Sequence, residues 1–213
     1  MNEQFKRHLK RTAIIAVIAF AVGIMVGFLR PTPYENATVI DKGSTPTAMP
    51  GVQVGGPFSL IDQDNNAVTE KNYPGYKLVY FGFTMCPMIC PTGLQKISKT
   101  LDLMGKDSES ITPILITVDP ERDTPPVMKE YVKQFHPRLV GLTGSKEQIE
   151  SAEKSYRVFA SKTQDESMTE YTMDHSSFTY LMGPGGELLA LYRDSDTAEF
   201  MAEDIKKKIN GGA

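Results

Sequence analysis

The sequence predicts an α/β domain, a central mixed sheet flanked by helices, tethered to an N-terminal transmembrane helix. Three observations carry that expectation. From Phe58 onward, short apolar runs of strand character alternate with helical stretches. Gly183-Pro184-Gly185-Gly186 separates two apolar runs, the pattern of a hairpin. And Thr12 to Leu29 is a stretch of 18 residues without a charge.

Composition narrows the classes further. The chain has 213 residues, 23 Lys+Arg against 26 Asp+Glu, three histidines and two cysteines. That length allows one ordinary domain and an appendage. A mixture of 40% hydrophobic and 23% charged residues excludes wholesale disorder and collagen-like repeats. A net charge of −3 makes no case for a nucleic-acid surface. Two cysteines cannot build a zinc ribbon or a multi-disulfide scaffold.

The segments can be justified in order. Residues 1–11 read as a cytoplasmic tail and 12–29 as a membrane anchor, since 18 helical residues span roughly 27 Å of a hydrocarbon core about 30 Å thick. Lys6, Arg7, Lys10 and Arg11 precede the run, and only Arg30 closes it before Pro31. Positive residues stay inside, so the tail faces the cytoplasm and the remainder faces out. Ala19-Phe20-Ala21 offers a signal-peptide cleavage pattern, but the apolar run continues eight residues beyond it, which favours a retained anchor. A bacterial inner-membrane protein, single-pass and facing the periplasm, is the expected location. Without Glu3 and the four basic tail residues the chain carries 19 Lys+Arg against 25 Asp+Glu, a net −6. Such a domain favours a basic patch on its target.

Residues 30–57 hold Pro31, Pro33, Pro46, Pro50 and Pro57 and read as an extended linker, leaving 58–213 as the folded domain. Phe58–Ile61 is a short strand, 62–66 a turn, and Ala67–Thr69 the return strand. The turn begins D-x-D-x-N, like a calcium loop. Ala67 at the glycine position and Tyr73 at the twelfth position reject that reading. Lys77–Phe83 is apolar enough for a central buried strand. A helix is expected over 91–104, a strand over 111–118, and a helix over 125–135 with Thr124 as cap and Pro125 at its first position. A strand at 139–142, a helix at 146–156, the hairpin 178–182/187–192 and a helix at 197–209 complete the chain. This order is similar to that of thioredoxin-like domains, a fold that does not by itself define a function.

The chemistry concentrates in Phe81-Gly82-Phe83-Thr84-Met85-Cys86-Pro87-Met88-Ile89-Cys90-Pro91. Two thiols stand just past a buried strand, at or before a helix N-terminus whose free N–H groups favour thiolate. Sulfurs four positions apart on a helix share a face, so they can close a disulfide or grip one metal ion. Tyr171–Ser177, read as a loop, brings His175 toward the same place, where a thioredoxin usually carries a proline. No proline stands between Pro137 and Pro184.

The segments FGFTMCPMICP, TVDPERDTP (117–125), FHPRLVGLTG (135–144) and DHSSFTYLMGPGG (174–186) together resemble the Sco/SenC family. The resemblance covers about residues 52–210. It implies a membrane-tethered metallochaperone that helps assemble cytochrome c oxidase, with subunit II as partner and copper as cofactor, as Cu(I) or Cu(II). It also implies other periplasmic copper chaperones or thiol reductants as further partners. Carried over by position, the metal ligands fall on Cys86, Cys90 and His175. Two thiolates and an imidazole suit Cu(I), and Cu(II) with an added oxygen ligand. A three-ligand zinc site remains open as a competitor, while a four-ligand structural zinc lacks a fourth residue.

Around these ligands, Asp119, Glu121, Asp123 and Asp174 are candidates to orient His175 through hydrogen bonds, or else to cap turns. Met85 and Met88 are either soft donors to a passing copper ion or ordinary packing. His136 is expected to satisfy local backbone, and His8 lies on the other side of the membrane. The main alternative to a chaperone is a thiol–disulfide reductase using Cys86 and Cys90 to keep the oxidase subunit's cysteines reduced. A peroxide-reducing enzyme of the peroxiredoxin type ranks third, because no arginine stands within the cysteine motif.

Overall fold

The computed structural model describes residues 53–164 and 170–211. The expected tail, the anchor at 12–29 and the linker up to residue 52 lie outside the described residues. Among the described residues no helix is long and apolar enough to cross a membrane. The elements run β1 Ser59–Asp62, β2 Ala67–Thr69, β3 Tyr76–Gly82, α1 Ile89–Met104, β4 Ile111–Thr117, α2 Pro125–Val132 and β5 Val140–Thr143. They continue with α3 Lys146–Tyr156, β6 Ala160–Thr163, β7 Thr172–His175, β8 Thr179–Met182, β9 Leu188–Tyr192 and α4 Ala198–Asn210.

Seven strands form one mixed sheet in the order β2-β1-β5-β4-β3-β8-β9. β3, β4 and β5 are parallel, and the flanking pairs are antiparallel. In β3 every residue from Lys77 to Gly82 is buried, with no alternation. A strand buried at both parities has both faces covered, which is why its sequence is a continuous apolar run. α1 lies against β3 and α4, α2 against β5, and α3 against β1. The sheet and helices are those of an α/β thioredoxin-like domain.

Local chemistry explains most boundaries. The β1–β2 turn is closed by Asp62, whose Oδ1 accepts the N–H groups of Asp64 and Asn66 at 2.9 and 2.8 Å. Those carboxylate bonds hold the hairpin turn. The β8–β9 hairpin needs Gly186, at φ +85°, where a side chain would be strained. α3 starts with a capping box: Ser145 Oγ accepts from Gln148 N–H, and Gln148 Oε1 accepts from Ser145 N–H at 2.8 Å.

Two expectations need correction. Thr124 is the N-cap of α2 and Pro125 its first residue, as expected, but the Thr124 side chain makes no capping hydrogen bond. Pro125 and Pro126 occupy the first two helical positions and have no N–H to offer it. α2 also ends at Val132, because its last turn tightens into bonds from Gln134 to Tyr131 and from Phe135 to Val132 before Pro137. The larger difference lies at Tyr171–Ser177, read as a loop. Thr172–His175 is a strand, paired antiparallel with Ala160–Thr163 in a separate two-stranded ribbon. Both segments are polar and largely unburied, so neither shows the apolar alternation that marks a strand in sequence.

Candidate metal centre

β3 delivers the chain to the site, and Gly82 ends it. A Cβ on Gly82 would lie 3.0 Å from Cys90 Sγ and 3.1 Å from the Tyr80 ring, so only glycine lets the cysteine approach the strand. Gly93, one turn into α1, makes similar room: a Cβ there would meet Tyr80 Cζ at 2.9 Å. These two glycines seat the buried Tyr80 ring beside Cys90, a wall that the sequence reading did not identify. The spacing of the glycines around the cysteines was the available signal.

Cys86 sits in the turn after β3, its N–H donating to Phe83 O at 3.3 Å. Cys90 is the second residue of α1, which therefore starts two residues earlier than expected. Both cysteines are buried, Cys90 fully, and both are free thiols. Met88 precedes the helix without a side-chain cap. Instead, Cys90 N–H donates to Cys86 Sγ at 3.4 Å, so a sulfur takes one of the open donors of the first turn. The Cys90 thiol also hydrogen-bonds Cys86, which lowers the Cys86 pKa well below the ordinary thiol value against the opposing effect of burial. The reciprocal bond and burial raise that of Cys90. The pair is thus unequal: the hydrogen bonds favour charge on Cys86, and burial favours the proton on Cys90.

His175 ends β7, opposite Ala160. Its Nε2 lies 3.3 Å from Cys90 Sγ, and its Nδ1 lies 3.1 Å from the carbonyl of Ser176. A carbonyl can only accept, so Nδ1 donates to it, and Nε2 is the ring nitrogen that faces the sulfurs. The ring stands edge-on to Phe83 at 5.8 Å and Tyr80 at 6.5 Å between centroids, which fixes its plane.

The donor atoms of Cys86, Cys90 and His175 lie within 4.8 Å of one another. A cation bonded at about 2.0–2.3 Å to three trigonal donors holds them roughly 4 Å apart, so only a small contraction is needed. Two thiolates and a neutral imidazole form a donor set for a thiophilic ion such as copper. The same sulfurs stand close enough to exchange electrons as a dithiol.

None of the four acidic candidates hydrogen-bonds His175; the Ser176 carbonyl takes that role. Asp123, fully buried, accepts from Thr84 N–H at 3.1 Å, Thr84 Oγ1 at 2.5 Å and Thr117 Oγ1 at 2.5 Å. Asp119, also buried, pairs with Arg122 Nε and accepts from Tyr171 Oη at 2.8 Å. Glu121 pairs with Lys162 at 2.5 Å, and the exposed Asp174 accepts from Thr163 Oγ1 at 2.9 Å. Met85 and Met88 are 56% and 74% exposed, so core packing does not account for them. His136 Nδ1 accepts from Arg138 N–H at 3.2 Å, a local bond as expected. Sequence reasoning passed over Arg122, which comes from the 119–123 turn and lies 5.9 Å from the centroid of the Phe83 ring.

Fold and site together define a thioredoxin-like domain in which the turn after β3, the first helix and a strand ribbon converge two thiols and an imidazole. The chain belongs to the SCO1/SenC family, whose model matches residues 46–210. It is 45% identical over 158 residues to Protein SCO1 homolog 1, mitochondrial, of Arabidopsis thaliana, covering 73% of this chain and 47% of that one. The chain therefore spans about half the length of that relative. The crystal structure of Arabidopsis thaliana ScoI with copper bound superposes with a TM-score of 0.70 at 44% identity, over 74% of this chain and 99% of that one. The structure of Bradyrhizobium japonicum ScoI with copper bound gives 0.67 at 44% identity, over 72% and 98%.

Proposed function

We propose that this protein is a copper metallochaperone: it takes one copper ion on Cys86, Cys90 and His175 and delivers it to the binuclear copper site of cytochrome c oxidase subunit II. Copper is the metal that the site suits. The observation that carries this reading is the convergence of three soft or borderline donor atoms within 4.8 Å, with the imidazole Nε2 already turned inward. Two close relatives of known structure hold copper. Three protein ligands leave a position for an incoming thiolate, so copper is the cargo and passes by ligand exchange. Met85, Met88 and Ile89, all exposed beside the cysteines, are the surface that the acceptor meets. Residues 12–29 anchor the domain on the periplasmic side of a bacterial inner membrane, which extraction of the full chain only by detergent, and not by alkaline carbonate, would support.

The test is copper loading of the reduced protein beside His175→Ala. One equivalent of Cu(II) with sulfur-to-copper charge-transfer absorption and a matching electron paramagnetic resonance signal, lost in the variant, is the expected result. A variant that loads like the parent refutes ligation by His175.

The second reading, a thiol–disulfide reductase that keeps the oxidase cysteines reduced, draws on the inequality of the two thiols. Cys86, as thiolate, attacks the target disulfide, and Cys90 then closes on Cys86 and releases the reduced target. Fast exchange by His175→Ala with no tight copper in the parent would favour it.

A further inference from the structure

The turn Asp119–Asp123 touches both halves of the metal centre. At one end Asp123 grips Thr84, two residues before Cys86, through the backbone N–H and the hydroxyl. At the other end Asp119 and Arg122 grip Tyr171, four residues before His175. Tyr171 Oη donates to Asp119 Oδ1 at 2.8 Å, and Arg122 Nη1 donates to the Tyr171 carbonyl at 3.0 Å. The Arg122 guanidinium stacks 3.8 Å from the centroid of the Tyr171 ring, and Lys162 of β6 lies over the same ring at 4.5 Å. Lys162 returns to the turn through Glu121.

The turn is itself closed. Arg122 and Asp123 N–H groups donate to Asp119 O at 3.2 and 2.9 Å. Thr117 Oγ1 accepts from Asp119 N–H at 2.9 Å and donates its own hydrogen bond to Asp123 Oδ2 at 2.5 Å. Asp119 and Asp123 are 1% and 0% exposed, so these bonds are shielded from competing water. By contrast, the ribbon that carries His175 is separate from the main sheet, so its position is not set by sheet pairing.

We infer that Asp119, Arg122 and Asp123 act as a yoke: they are positioning residues that set the distance of His175 from the cysteine pair, and Tyr171 is the handle by which they hold the histidine strand. The inference rests on copper binding by Cys86, Cys90 and His175. Arginine is required at 122 because a planar guanidinium stacks on a ring and forks its donors at the same time, which an ammonium cannot do. Loosening the yoke frees the ribbon and withdraws the imidazole, leaving the dithiol intact.

The experiment uses the purified full chain, reduced, with Arg122→Lys and Tyr171→Phe beside the parent. Tyr171→Phe keeps the ring and loses only the bond to Asp119. Copper affinity is read by competition with a Cu(I) chelator, and the His175 ring by nuclear magnetic resonance in the metal-free protein. Expected are copper binding roughly 10- to 100-fold weaker in Arg122→Lys, a smaller loss in Tyr171→Phe, shifted His175 ring signals in both, and a dithiol that still closes to a disulfide in both. Parental affinity together with parental ring signals in both variants overturns the yoke. If the parent itself takes no copper, the copper reading falls, and the ring signals still decide the yoke.

Discussion

Asp123 offers a sharp test of how the cysteine turn is held. Replacing it with alanine leaves Thr84 N–H and the buried Thr117 hydroxyl without an acceptor. At about 1–3 kcal/mol for each buried donor, the loss is about 4 kcal/mol. Asparagine behaves differently. With its carbonyl oxygen in the place of Oδ2 it accepts from Thr84 N–H and Thr117 Oγ1, and its amide donates to Thr84 Oγ1, which rotates to accept. The expected loss is about 1 kcal/mol. Burial raises the Asp123 pKa above the ordinary 3.8 by more than its hydrogen bonds lower it. The native protein therefore holds this proton more tightly than the unfolded chain, and parental stability falls as pH rises through that range. Both variants lack this titrating group, so both deficits should shrink by the same amount with rising pH, and the gap between asparagine and alanine should stay constant. The assay is urea denaturation followed by circular dichroism, since the chain has no tryptophan. With a slope of roughly 2 kcal/mol per molar urea, alanine lowers the midpoint by about 2 M and asparagine by about 0.5 M. Equal losses for the two variants would refute the hydrogen-bond account.

Two other outcomes follow from unequal environments. Iodoacetamide at mildly acidic pH should label Cys86 at least about tenfold faster than Cys90, because only Cys86 is held as thiolate and only Cys86 retains any surface; peptide mass mapping checks this, and equal labelling contradicts the assignment. Glu153, pushed up to about 7 by burial and by neighbouring Glu150, binds its proton more tightly in the native state than in the unfolded chain. Stability from this group is present below pH 4.5 and is lost as pH rises through 7, so Glu153→Gln should gain about 2 kcal/mol at pH 8 and nothing at pH 4. Thermal melts at the two pH values measure it, and a gain at pH 4 would sink the reasoning.

Much of this protein was legible from residue order alone. The run at 77–83 could only be a central strand, because a continuous apolar stretch is stable where both faces are covered. The thiol spacing and the position of Cys86 and Cys90 between strand and helix are local features, and soft-metal or disulfide chemistry follows from them. The Gly183-Pro184-Gly185-Gly186 stretch announced a hairpin, and Gly186 is the glycine that a positive φ demands. Four motifs in order identified the family, since they combine residue types no single structural requirement would select.

What remained hidden depended on contacts between distant segments. β6 and β7 are polar and stabilised by each other, so no periodicity marks them. The acidic residues were expected to orient His175, but their hydrogen bonds go to other partners. Asp119 and Asp123 look alike in sequence, and only folding decides that one faces Tyr171, 52 residues away, and the other Thr84, 39 residues away. The inequality of the two thiols is likewise tertiary: it arises because the fold directs the hydrogen bonds of Cys90 onto the Cys86 sulfur while it buries Cys90 completely. Residue identity supplies the donors; the free energy of bringing them together belongs to the packed structure that excludes water from between them.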